Sequence, residues 1–357
     1  MTEADLNAAL EAFVDPLIGR GLLSAAAVEE VALSAGLLRL RVRLGFPLGD
    51  HAASFEQALA AHVQTRLGVR LQLDLAARIE SQAVQRQLRP LAGIRNILAV
   101  ASGKGGVGKS TVAANLALAL QAQGARVGLL DADIYGPSQP HMMGVAGQRP
   151  VTAANGRLQP VLAHGLQVMS IGFLVDAEQP MIWRGPMATQ ALNQLLTETD
   201  WVDLDYLVVD LPPGTGDIQL SLSQRIPLAG AVVVTTPQDI ALIDARKGLE
   251  MFRKVGVPLL GIVENMSLYC CPACGQTSEL FGRGGGERLA TAAGVPLLGQ
   301  LPLERRIREL ADGGRPSVVG EPEGDAARRY RAIALQAAAR LAYAGGEAFP
   351  EITVSDD

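Results

Sequence analysis

One stretch constrains this chain more than any other: Gly103-Lys104-Gly105-Gly106-Val107-Gly108-Lys109-Ser110. It fits the pattern G-x4-G-K-S/T. It directly follows an apolar run, Ile97–Val100, and opens a helix expected from Ser110 to about Gln123. That strand–turn–helix context is what the pattern requires. Glycines free the backbone N–H groups to curl around phosphate oxygens, and the helix N-terminus adds partial positive charge. Lys109 is then placed to reach the β- and γ-phosphates of a nucleotide, and the Ser110 hydroxyl to bind Mg²⁺.

The rest of the chain fits the fold that such a loop needs. Short apolar runs recur at Val127–Leu130, Leu207–Val209, Ala231–Val234, Leu259–Val263 and Pro296–Leu298, with helix-length segments between them. Strands buried on both faces read this way, so residues 96–344 are expected to form a parallel α/β sheet wrapped by helices. Residues 1–75 read as a small α+β domain. Leu38–Leu44 alternates strictly with arginines, and Val69, Leu71, Leu73 and Leu75 alternate again. Between them a helix is expected, capped by Ser54, with Phe55, Leu59, Val63 and Leu67 on its core face. The arginine-bearing strand face reads as a solvated sheet face. Residues 76–95 have no strong period and read as a linker. The last helix is expected at about Asp325–Ala342, and the acidic tail 345–357 reads as disordered.

Charge narrows the function classes. The net charge is −5, which argues against a generic binder of nucleic acid or anionic membrane. No apolar run reaches the ~18 residues needed to span a bilayer, and the acidic start lacks a signal-peptide pattern. A cytoplasmic protein is expected. Of the 31 basic residues only Lys104, Lys109, Lys247 and Lys254 are lysines. Coding bias explains the arginines but not two lysines within one glycine loop.

Carboxylates end two of the apolar runs. Asp131-Ala132-Asp133 follows Val127–Leu130, at the sheet edge where ligands bind in such folds. Asp210 ends Leu207–Val209, placed to hold Mg²⁺ through water, and Leu211-Pro212-Pro213-Gly214-Thr215-Gly216-Asp217 follows as a loop suited to sensing a γ-phosphate. The three cysteines, Cys270, Cys271 and Cys274, lie within five residues. Cys271-Pro272-Ala273-Cys274-Gly275 is a C-x-x-C knuckle whose two thiolates can share one metal. Zn²⁺ and a 4Fe–4S cluster both take four ligands, so the count suggests two chains pooling Cys271 and Cys274. A redox pair and a zinc knuckle completed elsewhere stay open. Cys270 is expected to point away from the knuckle.

Several motifs together carry a resemblance. Lys104 to Thr111 resembles the deviant Walker A loop, whose extra lysine reaches across a dimer to the partner's nucleotide. With Leu130–Ser138, Trp183-Arg184-Gly185-Pro186-Met187, Leu211–Asp217 and Asn265–Gly275 in this order, residues 94–342 resemble the Mrp/ApbC family of iron–sulfur cluster carrier ATPases. The resemblance implies a homodimer that bridges a 4Fe–4S cluster through paired Cys271 and Cys274 and passes it from cluster-assembly donors to apo iron–sulfur client proteins. ATP and Mg²⁺ are the implied cofactors, with slow ATP hydrolysis. It implies that Gly103, Lys104, Gly105, Gly106, Val107, Gly108, Lys109, Ser110 and Thr111 cradle the nucleotide. Lys104 then acts in trans, Asp133 lies near the attacking water, Asp131 and Asp210 support Mg²⁺, and Asn265 and Pro302-Leu303 lie against adenine. Residues 1–75 resemble the small iron–sulfur assembly domain often fused in front. That domain usually carries a cysteine where this chain reads Phe46-Pro47-Leu48-Gly49-Asp50-His51. Two alternatives belong to other classes: a ParA/MinD-like positioning ATPase, and a zinc-stabilised nucleotide-binding module.

Overall fold

The computed structural model describes residues 2–34, 36–85, 88–154, 156–174, 185–271 and 273–343. The chain divides into two compact units: residues 1–79 with the chain from Ala338 on, and residues 80–337.

The first unit is a three-stranded sheet with two helices. Leu37–Leu44 is its central strand, antiparallel to Val28–Ser34 and parallel to Arg70–Ala77. The strict alternation of Leu37–Leu44 buries Leu38, Leu40, Val42 and Leu44. The helix Ala52–Leu67 sets Phe55, Leu59 and Val63 into the same core. Ser54 does not cap this helix: it lies inside it, and its hydroxyl donates to the His51 carbonyl at 2.9 Å. The arginine face is paired. Arg41 meets Glu30 at 2.6 Å and Asp74 at 3.0 Å, and Arg43 meets Asp74 at 2.9 Å. The Val28–Ser34 strand that supplies Glu30 escapes the period because it is exposed along nearly its whole length.

The second unit is built on an eight-stranded sheet. Its order is Leu297–Gln300, Leu259–Glu264, Gly230–Thr235, Ile94–Ser102, Leu204–Asp210, Val127–Asp131, Leu166–Ser170, Val161–Ala163. Seven strands run parallel, as expected, and Val161–Ala163 closes one edge antiparallel. Leu204–Asp210 is buried at every position, which only a sheet covered on both faces allows. The Lys109–Ala122 helix buries ten residues. Residues 80–95 are not a free linker. Gln85 donates to the Ser223 carbonyl at 2.9 Å, and Gln82 N donates to Asn96 Oδ1 at 3.0 Å. Ile94–Ser102 sits mid-sheet, so its carboxyl end opens between those of its neighbours, where the connections leave in opposite directions. Trp183, Arg184 and the 345–357 tail lie outside the described residues. Among the described residues no helix is long and apolar enough to cross a membrane.

Candidate functional site

The glycine loop turns between Ser102 and Lys109 over a cleft of about 220 Å3. Two glycines are obligatory by packing. A Cβ on Gly103 would sit 2.3 Å from the Asp244 carbonyl oxygen, and one on Gly108, at φ +83°, would meet Asn265 Nδ2 at 2.3 Å. Gly105 and Gly106 line the cleft and face open space, so the loop is bare at these two positions. Gly108 ends the turn and the fourteen-residue helix starts at Lys109, with no acidic side chain in its first turn. Its free N–H groups and dipole favour an anion. Lys104, Lys109, Ser110, Thr111 and Asp133 line the cleft, with Pro213 of the loop after Asp210. Ser102 donates to the Lys104 carbonyl at 2.9 Å, and Gly214 N donates to the Ser102 carbonyl at 2.9 Å, joining the two loops.

Three carboxylates gather beneath the loop. The buried Lys109 ammonium touches Asp210 Oδ1 and lies 3.7 Å from Asp133 Oδ2 and 3.2 Å from the Ser110 hydroxyl. Burial pushes the Asp133 carboxyl up, against the pull of Lys109. Asp131 is fully buried and accepts from Asp133 N at 3.2 Å, Ser138 N and Gln139 N at 3.0 Å each, and the Ser170 hydroxyl at 3.1 Å. Burial and the neighbouring Asp210 charge push its carboxyl up to about 7, against those backbone donors. Both Asp131 oxygens are thus spent on holding the 133–139 loop. Ser110 and Asp133 line the cleft and Asp210 lies behind Lys109, oxygen donors of the hard kind suited to Mg²⁺. The bare glycine cradle fits a polyphosphate.

Gln139 and Ser170 have no counterpart in the motif reading. Gln139 directly follows the Leu130–Ser138 run, which was the available signal; Ser170 lies on a separate strand and gave none. Asn265 does not line the cleft; it donates from Nδ2 to the Val107 carbonyl at 2.9 Å, so it grips the phosphate loop itself. Met266 follows at φ +56°, a left-handed turn that starts the chain towards the cysteines.

The knuckle is a small exposed hairpin. Tyr269–Cys270 pairs antiparallel with Thr277–Ser278, and Gly275, at φ +72°, closes the turn with its N–H on the Cys271 carbonyl at 2.8 Å. Backbone N–H groups of Cys274 and Ala273, then the Cys274 side chain, hold the Cys271 thiol below its usual range. That favours the thiolate, the form that binds metal. Cys274 is exposed. Cys270 is exposed too, its sulfur 3.6 Å from the Gly275 carbonyl, so it is not packed in a core. Among the described residues no group of three or more His, Cys, Asp or Glu side chains could hold a metal ion. In the first unit, where a cysteine was missing, His51 Nε2 lies 3.0 Å from the buried Asp15 Oδ2.

Fold and loop define an α/β P-loop NTPase. Residues 93–338 match the family described as ParA: NUBPL iron-transfer P-loop NTPase, and the chain belongs to it. It is 49% identical over 337 residues to the iron-sulfur cluster carrier protein of Haemophilus influenzae, covering 94% of this chain and 91% of that one. It is 52% identical over 265 residues to the mouse iron-sulfur cluster transfer protein NUBPL, covering 74% and 82%. Among solved structures it resembles an Archaeoglobus fulgidus nucleotide-binding protein in complex with ADP, at 39% identity and a TM-score of 0.57 over 65% of this chain and 90% of that one. The Pyrococcus furiosus cell division ATPase MinD matches at 25% identity and a TM-score of 0.53, over 68% and 97%.

Proposed function

We propose that this chain is an ATP-dependent carrier that binds a 4Fe–4S cluster between two copies of itself and delivers it to apo-proteins in the cytoplasm. The observation that carries the reading is the pairing of a finished phosphate loop with an unfinished metal site. Each chain offers two knuckle thiols, the half-buried Cys271 and the exposed Cys274, and a 4Fe–4S cluster takes four. A second copy completes the set, and clients and donors reach the cluster because the hairpin stands at the surface.

Lys109 and the helix N-terminus hold the β- and γ-phosphates. Lys104, whose ammonium has no ion pair among the described residues, reaches the partner's γ-phosphate. Asp133 orients the attacking water, and its raised proton affinity suits a group that handles a proton. Asp210 and Ser110 would hold Mg²⁺, which supplies charge neutralisation on the phosphates. Asp131 keeps the loop carrying Asp133 in place. Asn265 and Pro302-Leu303 lie against the base, and Asn265 ties that wall to the loop. Hydrolysis is slow and changes the dimer.

Anaerobic reconstitution with ferrous iron and sulfide tests the reading. Wild type is expected to gain about two iron and two sulfide per chain, half of a four-iron cluster, and a thiolate-to-iron absorbance. If Cys271→Ala/Cys274→Ala takes up as much iron and sulfide, the reading fails. Tightly held zinc without sulfide favours the zinc-stabilised module instead.

A further inference from the structure

Asp210 is fully buried, and among the described residues two side chains donate to it. Lys109 Nζ holds Oδ1, and Gln139 Nε2 holds Oδ2 at 2.9 Å. These donors have different fates once a nucleotide arrives. Lys109 lines the cleft, so a phosphate there competes for its N–H groups. Gln139 is fully buried and does not line the cleft, so no ligand competes for its amide. A buried carboxylate that loses its cation is costly unless another donor remains.

We propose that Gln139 is a positioning residue for the nucleotide site, holding Asp210 in place when Lys109 turns from that carboxylate to a phosphate. Its contacts form a brace. Nε2 also donates to the Ser110 carbonyl at 3.0 Å, and the Gln139 backbone N–H donates to Asp131 Oδ2. One residue thereby joins the ends of two strands to the first turn of the phosphate-binding helix. The amide orientation is fixed by chemistry: turned over, Oε1 would face two acceptors, the Asp210 carboxylate and the Ser110 carbonyl. Oε1 is itself buried without a hydrogen-bond partner among the described residues, so what the side chain contributes here comes through Nε2.

The inference rests on the ATP-binding reading, and the test separates the two. Full-length wild type and Gln139→Leu are compared by thermal unfolding, with and without Mg-ATP, and by titration with a fluorescent ATP analogue. Without nucleotide, Asp210 keeps Lys109, so the variant is expected to unfold within a few degrees of wild type. With nucleotide, its ATP affinity is expected to fall by roughly tenfold, the scale of one hydrogen bond to a charged group, and its ATP-induced thermal shift to shrink. A purely structural role gives the opposite pattern, a lower melting point without ligand and an unchanged ATP shift, and would overturn the proposal. So would wild-type ATP affinity in the variant. No ATP-induced shift in wild type sinks the underlying reading instead. Should Gln139→Leu not fold, Gln139→Met, of similar length and without an amide donor, carries the same comparison, and wild-type ATP affinity in it overturns the proposal.

Discussion

The phosphate loop and the cysteine knuckle both sit in the second unit, yet they are built on opposite terms. The phosphate cradle is built within one chain, with Lys104 alone assigned to a partner's nucleotide. Lys109 and all three carboxylates are buried, Gly103 and Gly108 are forced by neighbouring backbone and side chain, and the loops are cross-linked by named hydrogen bonds. The knuckle is largely exposed, rests on a hairpin with two-residue strands, and brings two thiols. A site that must recognise the same nucleotide each time gains from being rigid and finished. On the function proposed above, a site that must give up its cargo gains from being accessible and finished by a second molecule. The path from Asn265 through Met266 to Cys271 joins the two kinds of site over a few residues of chain.

That contrast predicts how each region fails. Lys109→Ala is expected to lose nucleotide binding and to destabilise the protein by about 3–5 kcal/mol, because it strands the buried Asp210 charge. Calorimetry and nucleotide titration check both; retained ATP affinity would break the account of the loop. Cys271→Ala/Cys274→Ala is expected to lose its iron entirely while stability moves by no more than about 0.5 kcal/mol, as for exposed substitutions. A large drop in the apo-protein's melting point would mean that the knuckle is part of the fold. Lys104→Ala is expected to keep ATP affinity and lose about 100-fold in hydrolysis, the cost of one transition-state donor. Normal turnover in that variant excludes a role in trans. Gly275→Ala is smaller. A Cβ there meets nothing, so the cost is backbone strain alone, about 1 kcal/mol at a left-handed position. It should appear as iron lost roughly fivefold faster to a chelator, with ATP binding unchanged.

The same contrast explains what the sequence made legible. The glycine loop, the Asp133 and Asp210 positions and the C-x-x-C pair are contiguous motifs that local spacing and the family resemblance bring out. The parallel core strands were legible because burial on both faces writes itself as unbroken apolar runs. Gln139 and Ser170 were not, because their roles exist only once distant strand ends are brought together. The Val28–Ser34 strand was missed for a related reason: an exposed edge strand shows no alternation, and its Glu30 matters only opposite Arg41. Ser54 had the right residue type for a cap, but the 3-10 turn Gly49–His51 starts the helix three residues earlier than a Ser54 cap would.

Proton affinity separates the two regions as well, and there they move in opposite directions. Asp131 is pushed up to about 7 by burial and the Asp210 charge, far above an unfolded aspartate. The native state then binds more protons than the unfolded one between about pH 4 and pH 7, so this group's contribution to apo-protein stability is lost as pH rises through that window. Asp131→Asn is expected to flatten that slope of stability against pH, whatever it does to stability itself, because the asparagine disturbs the donors that now hold the carboxylate. An unchanged slope would assign the pH dependence elsewhere. Cys271 moves the other way, drawn down by backbone N–H groups in an exposed turn. Its alkylation in the metal-free protein should persist to lower pH than that of an ordinary thiol. If it titrates like free cysteine, the hairpin does not prepare its thiolate, and the knuckle's readiness for metal has to come from the second copy alone.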